Sequence, residues 1–207
     1  LVRLRIPVAG RAALDHVRDV DVCPAEPDLA QQAVEQLPGL PDEGALARVA
    51  PESLMSTLAG LDPDRDWTVR AAQATALGTI APDLSAARLQ AMLDDRDQRV
   101  IPAVLNALVA AKAPEVDRVL LQRLRADDFI IRATAAGALA QMRVAAAVPA
   151  LVDAYRSAVG DTASDARAAI LDALNTLAPM EARPLLVEAL KDPDWSLRLR
   201  AAAMLRE

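Results

Sequence analysis

The residue types that most often carry enzymatic chemistry are few in this chain and poorly grouped. One histidine, His16, and one cysteine, Cys23, occur in 207 residues. A nucleophile–histidine pair can therefore be built only around His16. Two such residues cannot complete a Cys-based zinc site or supply the several His–Glu pairs of a metal-dependent hydroxylase. Cys23 has no second cysteine for an intramolecular disulfide, which leaves the redox compartment undetermined. Neither GxxxxGK[ST] nor GxGxxG occurs, so no phosphate-cradling loop is expected. Carboxylates are plentiful, and Asp94-Asp95 and Asp127-Asp128 have the pairing that acid–base or metal chemistry uses. Both pairs fall where helices are expected to begin, and helix capping accounts for them. The expectation is a chain with no catalytic, cofactor-binding or metal-binding residue, and with His16 an ordinary surface or partly buried side chain.

Two rows of side chains recur at fixed spacing. Arg70, Arg132, Arg167 and Arg198 form one row, with Ile101 in its second place. They can pair with aspartates of their own or an adjacent unit, or receive carboxylates or phosphates of a ligand. The frequency of Asp beside the row favours the structural reading. The second row is Trp67, Phe129 and Trp195, three of the four aromatics, with Gln98 and Ser164 between them. Each follows an Asp, and each ring is expected to seal the junction between units; the alternative is a line of edge anchors for a partner.

The elements that position these rows are repeated helix pairs. From DWTVRAAQATALG at 66–78 the register advances by 31, 31, 35 and 31 residues, the signature of a tandem array. Leu77 becomes Leu108, Leu139, Leu174 and Leu205. In the second half of the unit Leu89 becomes Leu120, Leu151 and Leu186, while Leu93 becomes Leu124, Tyr155 and Leu190. Those two positions lie four residues apart, on one helical face. Each unit thus reads as helix A, a short turn and helix B. Ala-Pro steps at 50–51, 81–82 and 178–179, and one residue late at 113–114, end A and start B, because proline suits a first helical turn and disfavours helix before itself. Asp66, Asp97, Asp128 and Asp194 stand at the expected N-caps of the A helices. The four extra residues of the third interval fall in SAVGDTAS at 157–164, a longer surface loop.

The pattern D-x-x-V-R-x-A-x-x-x-A-L-G, as DWTVRAAQATALG and again as DFIIRATAAGALA at 128–140, resembles the HEAT-like repeat of phycobilin lyases and of many bacterial scaffold proteins. The resemblance implies an all-α, right-handed α-solenoid. The units run 66–96, 97–127, 128–162 and 163–193, with a degenerate one at 41–65 and a half repeat at 194–207. Residues 1–40 read as an irregular helical segment or cap, with short helices near 11–18 and 28–37, a loop at 21–27 and, in VRLRIPV, an alternation open to a short strand. The half repeat and the initial Leu suggest a fragment of a larger bacterial protein.

Composition agrees with such a fold. Ala supplies 46 residues and aromatics only 2%, which suits close-packed helices. The net charge of −6 argues against a nucleic-acid backbone as ligand. No apolar run is long enough for a membrane span. The leading expectation is a noncatalytic interaction or scaffold module for a protein or peptide. Its B helices line a concave face, with Arg88, Gln90, Arg118, Gln122, Asp153 and Glu188 as contact residues. What the resemblance also implies is a chromophore-handling subunit like those of phycobilin lyases, a DNA-binding array like the HEAT-like glycosylases, or the interaction region of a multidomain enzyme such as a peptidyl-prolyl isomerase.

Overall fold

The computed structural model describes residues 50–60, 62–158 and 164–206, all within one unit, Glu43–Glu207. The expected elements of residues 1–40, His16, Cys23 and the early part of the degenerate unit lie outside the described residues, as does most of the long loop at 157–164.

The described residues hold ten α-helices and no strand. They are α1 (Pro51–Ala59), α2 (Trp67–Leu77), α3 (Pro82–Met92), α4 (Ile101–Ala110), α5 (Val116–Arg123), α6 (Phe129–Gln141), α7 (Val148–Ser157), α8 (Ser164–Leu177), α9 (Pro179–Ala189) and α10 (Trp195–Met204). The even-numbered helices are the A helices and the odd-numbered ones the B helices. Each A helix packs on the next A helix, and α3, α5, α7 and α9 each pack on the A helix that follows. This is an α-solenoid: one hydrophobic cluster runs from Leu54 of α1 to Ala201 of α10.

The repeat leucines make that cluster. Leu77, Leu108, Leu139 and Leu174 of the A helices, and Leu89, Leu120, Leu151 and Leu186 of the B helices, are all 2% exposed or less. Burying a leucine contributes roughly 1.5–3 kcal/mol, so these two positions dominate the core. Between them stand small residues, Ala74, Ala107, Ala135, Ala138 and Ala173, that let A helices approach closely. The approach is tightest at Gly78, where a Cβ would stand 2.8 Å from the Cα of Ala107.

Helix starts follow the chemistry of aspartate and proline. Asp66, Asp97, Asp128 and Asp194 accept backbone N–H bonds at 2.8–3.1 Å from Thr68, Arg99, Ile130 and Ser196 respectively. Pro51, Pro82 and Pro179 open α1, α3 and α9. Pro114 departs from the expected pattern. It lies in the turn ahead of α5, which starts at Val116 after Glu115 in the left-handed region at φ 55°. Two prolines inside the pattern reshape what precedes them. Pro102 and Pro149 have no N–H to give the carbonyls four residues back, so the chain enters α4 and α7 through 3₁₀ turns at Gln98–Val100 and Ala145–Ala147.

Two A helices end alike. Lys112 and Arg143 adopt φ 54° and 57°. The next amides, Ala113 and Val144, donate back to Leu108 and Leu139 at 2.9 and 3.1 Å. Each is a Schellman turn with a side chain where glycine is usual.

Candidate partner-binding surface

The arginine row is built into the junctions between repeats. Arg70, 3% exposed, donates from Nε and Nη2 to both carboxylate oxygens of Asp95 at 2.7 and 2.9 Å. Its Nη1 reaches the carbonyl of Asp64 at 2.6 Å. Arg167 is paired with Asp192 through a single contact, Nη1 donating to Oδ2. Each guanidinium thus joins the loop before its own A helix, or the helix itself, to the loop before the next. Arg132 and Arg198 grip their own loops, donating to the carbonyls of Ala126 and Asp127 and of Asp192 and Pro193 at 2.7–2.9 Å. The expected pairing with aspartate is thus seen for Arg70 and Arg167, whereas Arg132 and Arg198 bond the main-chain carbonyls of their own loops.

Asp95 corrects the reading of the Asp94-Asp95 pair as a helix cap. Asp97 is the cap. Asp95 pairs with Arg70 and accepts the N–H of Asp97 at 2.8 Å. Asp64 and Asp192 make the same turn onto Asp66 and Asp194 at 2.7 and 2.9 Å. Three junctions thus carry Asp-x-Asp, in which the first carboxylate shapes the loop and, at Asp95 and Asp192, holds the arginine of the preceding A helix, while the second caps the next one. The 31-residue spacing of Asp64 and Asp95 was the available signal for it.

These bonds hold the carboxylates ionised. The Arg70 guanidinium keeps Asp95 below the usual carboxylate range, against its burial. Asp97 is lowered to about 2, first by the Arg99 guanidinium. Asp194 is lowered to about 2, first by the Ser196 hydroxyl. Asp66 is lowered by the Thr68 amide.

Where the row lapses at Ile101, an arginine from a B helix enters the junction instead. Arg123, at the end of α5, donates to the Leu93 carbonyl at the end of α3 at 3.1 Å. This cation was not legible in the repeat register, because it lies on the other helix of the pair.

The aromatic row is not uniform. Trp67 packs against the core cluster and lies under the Arg99 guanidinium, 4.4 Å from ring centroid to Cζ. Phe129 is half-buried. Trp195 is 68% exposed, so the expectation that every ring seals a junction fails there. Met180 and Val187 of α9, Leu190 just after it and Leu199 of α10 are exposed as well. Leu190 is 39% exposed although its register partners Leu124 and Tyr155 are buried.

Three cavities place the expected contact residues. Arg118 and Gln122 of α5 line one of about 470 Å³, with Leu121, Leu124, Arg125 and, across from them, Pro149 and Ala150 of α7. Asp153 lines a second of about 570 Å³ with Leu124, Arg125, Asp127, Arg132, Arg156 and Ala158. Arg88 lines a third of about 510 Å³ beside Arg70, Gln73, Met92 and Arg96. Gln90 and Glu188 are exposed but line none of the three. Among the described residues no group of three or more His, Cys, Asp and Glu is arranged to hold a metal ion. No helix among them is long and apolar enough to cross a membrane.

Residues 51–140 match the family model for HEAT repeats. A search of the curated proteins found no match. The family match identifies HEAT repeats in residues 51–140, and the stacked helix pairs with their repeated leucine positions continue beyond it to α10.

Proposed function

We propose that this chain is a noncatalytic interaction module that holds a protein or peptide on the surface of its B helices. The observation that carries the reading is the arrangement at α5 and α7. Exposed Arg118, Gln122 and Asp153 line two cavities together with apolar residues, among them Leu121, Leu124, Ala150 and Ala154, the mixture a recognition surface uses. The carboxylates of the Asp-x-Asp turns are spent on capping and pairing, which supports binding over catalysis as the role of the array.

The test compares immobilised wild-type chain with a variant carrying Arg88→Ala, Gln90→Ala, Arg118→Ala, Gln122→Ala, Asp153→Ala and Glu188→Ala. None of the six is buried, so the variant is expected to keep the circular dichroism of the wild type. Proteins that the wild type enriches by quantitative mass spectrometry should be lost from the variant. Identical enrichment by both chains, or none above the bare matrix, refutes the reading.

A further inference from the structure

The two cavities at α5 and α7 share Leu124 and Arg125, so they are neighbouring parts of one groove. Its α7 side carries the small residues Ala150 and Ala154. The positions matching these on α3 hold Arg88 and Met92, and on α5 Val119 and Arg123. The last of these spans the α3–α5 junction to the Leu93 carbonyl. The α5–α7 groove is thus set apart by its side chains.

Its charge also departs from that of the chain. Four arginines, Arg118, Arg125, Arg132 and Arg156, line the groove against Asp127 and Asp153, on a protein with net charge −6. Arg118 pairs with Glu115, and Arg132 holds the loop carbonyls. Arg125 and Arg156 are exposed and make no side-chain hydrogen bond or ion pair among the described residues.

We infer that the α5–α7 groove binds an extended acidic peptide segment, with its carboxylates on Arg125 and Arg156 and small apolar side chains over Leu121, Leu124 and Ala150. Asp127 and Asp153 select the ligand class. They repel a uniform polyanion such as a nucleic-acid backbone. A peptide with spaced carboxylates and backbone N–H donors satisfies both signs of charge. The inference rests on the interaction reading and names the partner's chemistry within it.

The test uses a fluorescein-labelled peptide of alternating Glu and Ala, about 12 residues long, enough to span the two cavities when extended. Fluorescence anisotropy at low ionic strength should show saturable binding that weakens with salt. Arg125→Glu with Arg156→Glu should weaken it about tenfold or more. Ala150→Leu, which narrows the groove without changing charge, should weaken it too. The matching Lys-Ala peptide should not bind. The inference is overturned if the acidic peptide fails to bind, binds the charge-reversed chain equally, or is matched by the Lys-Ala peptide or by oligothymidylate. Enrichment of proteins that survives Arg125→Glu with Arg156→Glu but is lost in the six-site alanine variant refutes the groove while leaving the interaction reading intact.

Discussion

Two glycine-to-alanine changes, chemically identical, should move stability in opposite directions. Gly78 closes α2 at φ −64°, an ordinary helical value, so its backbone does not require glycine. What requires it is space. An added Cβ would lie 2.8 Å from the Cα and 2.9 Å from the Cβ of Ala107 on α4. Carbon pairs are comfortable at about 3.5–4.0 Å, so the helices must part by most of an ångström or the end of α2 must unwind. Overpacking of this kind costs roughly 1–3 kcal/mol. Gly137 is the converse. It lies exposed in the interior of α6, with nothing within 4 Å of the position a Cβ would take. There alanine contributes about 0.8–1.0 kcal/mol by helix propensity alone. The variants should therefore differ by roughly 2–4 kcal/mol, or about 5–15 °C in melting temperature for a chain of this size. Thermal and urea unfolding followed by circular dichroism measure both. A Gly78→Ala variant that melts at or above the wild type would refute the close α2–α4 approach. A Gly137→Ala variant that melts below it would refute the open surface on α6.

Other outcomes follow from the same junctions. Asp95→Ala strands the buried Arg70 guanidinium, whereas Arg99→Ala removes an exposed ion pair with Asp97; the first should lower the urea midpoint clearly more than the second, and equal effects would show that the Arg70 clamp carries no stability. Asp97 and Asp194 sit at about 2 in the folded chain against an ordinary 3.8, so their contribution is complete above that ordinary value and is lost as pH falls from about 4 toward 2. Asp97→Asn with Asp194→Asn should flatten that acid limb of the stability curve, and an unchanged slope counts against the assignment. Lys112→Gly and Arg143→Gly relieve left-handed side-chain strain in the two Schellman turns and should each add about 0.5–1 kcal/mol to the unfolding free energy, read as a higher urea midpoint; a lowered midpoint in both would refute the strain.

The fold was legible because its determinants repeat. A leucine at 31- or 35-residue intervals, an aspartate before α2, α4, α6 and α10 and a proline at the starts of α1, α3 and α9 are local signals, and the structure has them at the expected places. The Asp-x-Asp turn was visible as letters but not as a role. Capping explains an aspartate from its own helix alone, whereas the first Asp acts on an arginine 25 residues earlier, Arg70 for Asp95 and Arg167 for Asp192. Pro114 was misplaced for a related reason. Proline fixes its own φ, but the left-handed Glu115 sets where α5 begins.

The contact surface was less legible, because exposure on a B helix follows from periodicity whereas a groove depends on the facing helix. Arg118, Gln122 and Asp153 gather at the α5–α7 groove, while Arg88 lies at a separate junction and Gln90 and Glu188 stand apart from all three cavities. Two substitutions separate neighbouring junctions on the same scaffold. Arg123 reaches across to Leu93 between α3 and α5, and Ala150 with Ala154 puts small residues on the α7 side of the α5–α7 groove. Arg125 and Arg156 border that groove without partners among the described residues, and neither belongs to the arginine row. In a repeat array the in-register residues that bond within a junction maintain the scaffold, so recognition is better sought where a junction departs from its neighbours. The Arg70–Arg198 row thus belongs to the architecture, whereas Arg125 and Arg156, exposed and sharing one repeat position 31 residues apart, are the arginines proposed for binding, because the small residues of α7 set their junction apart.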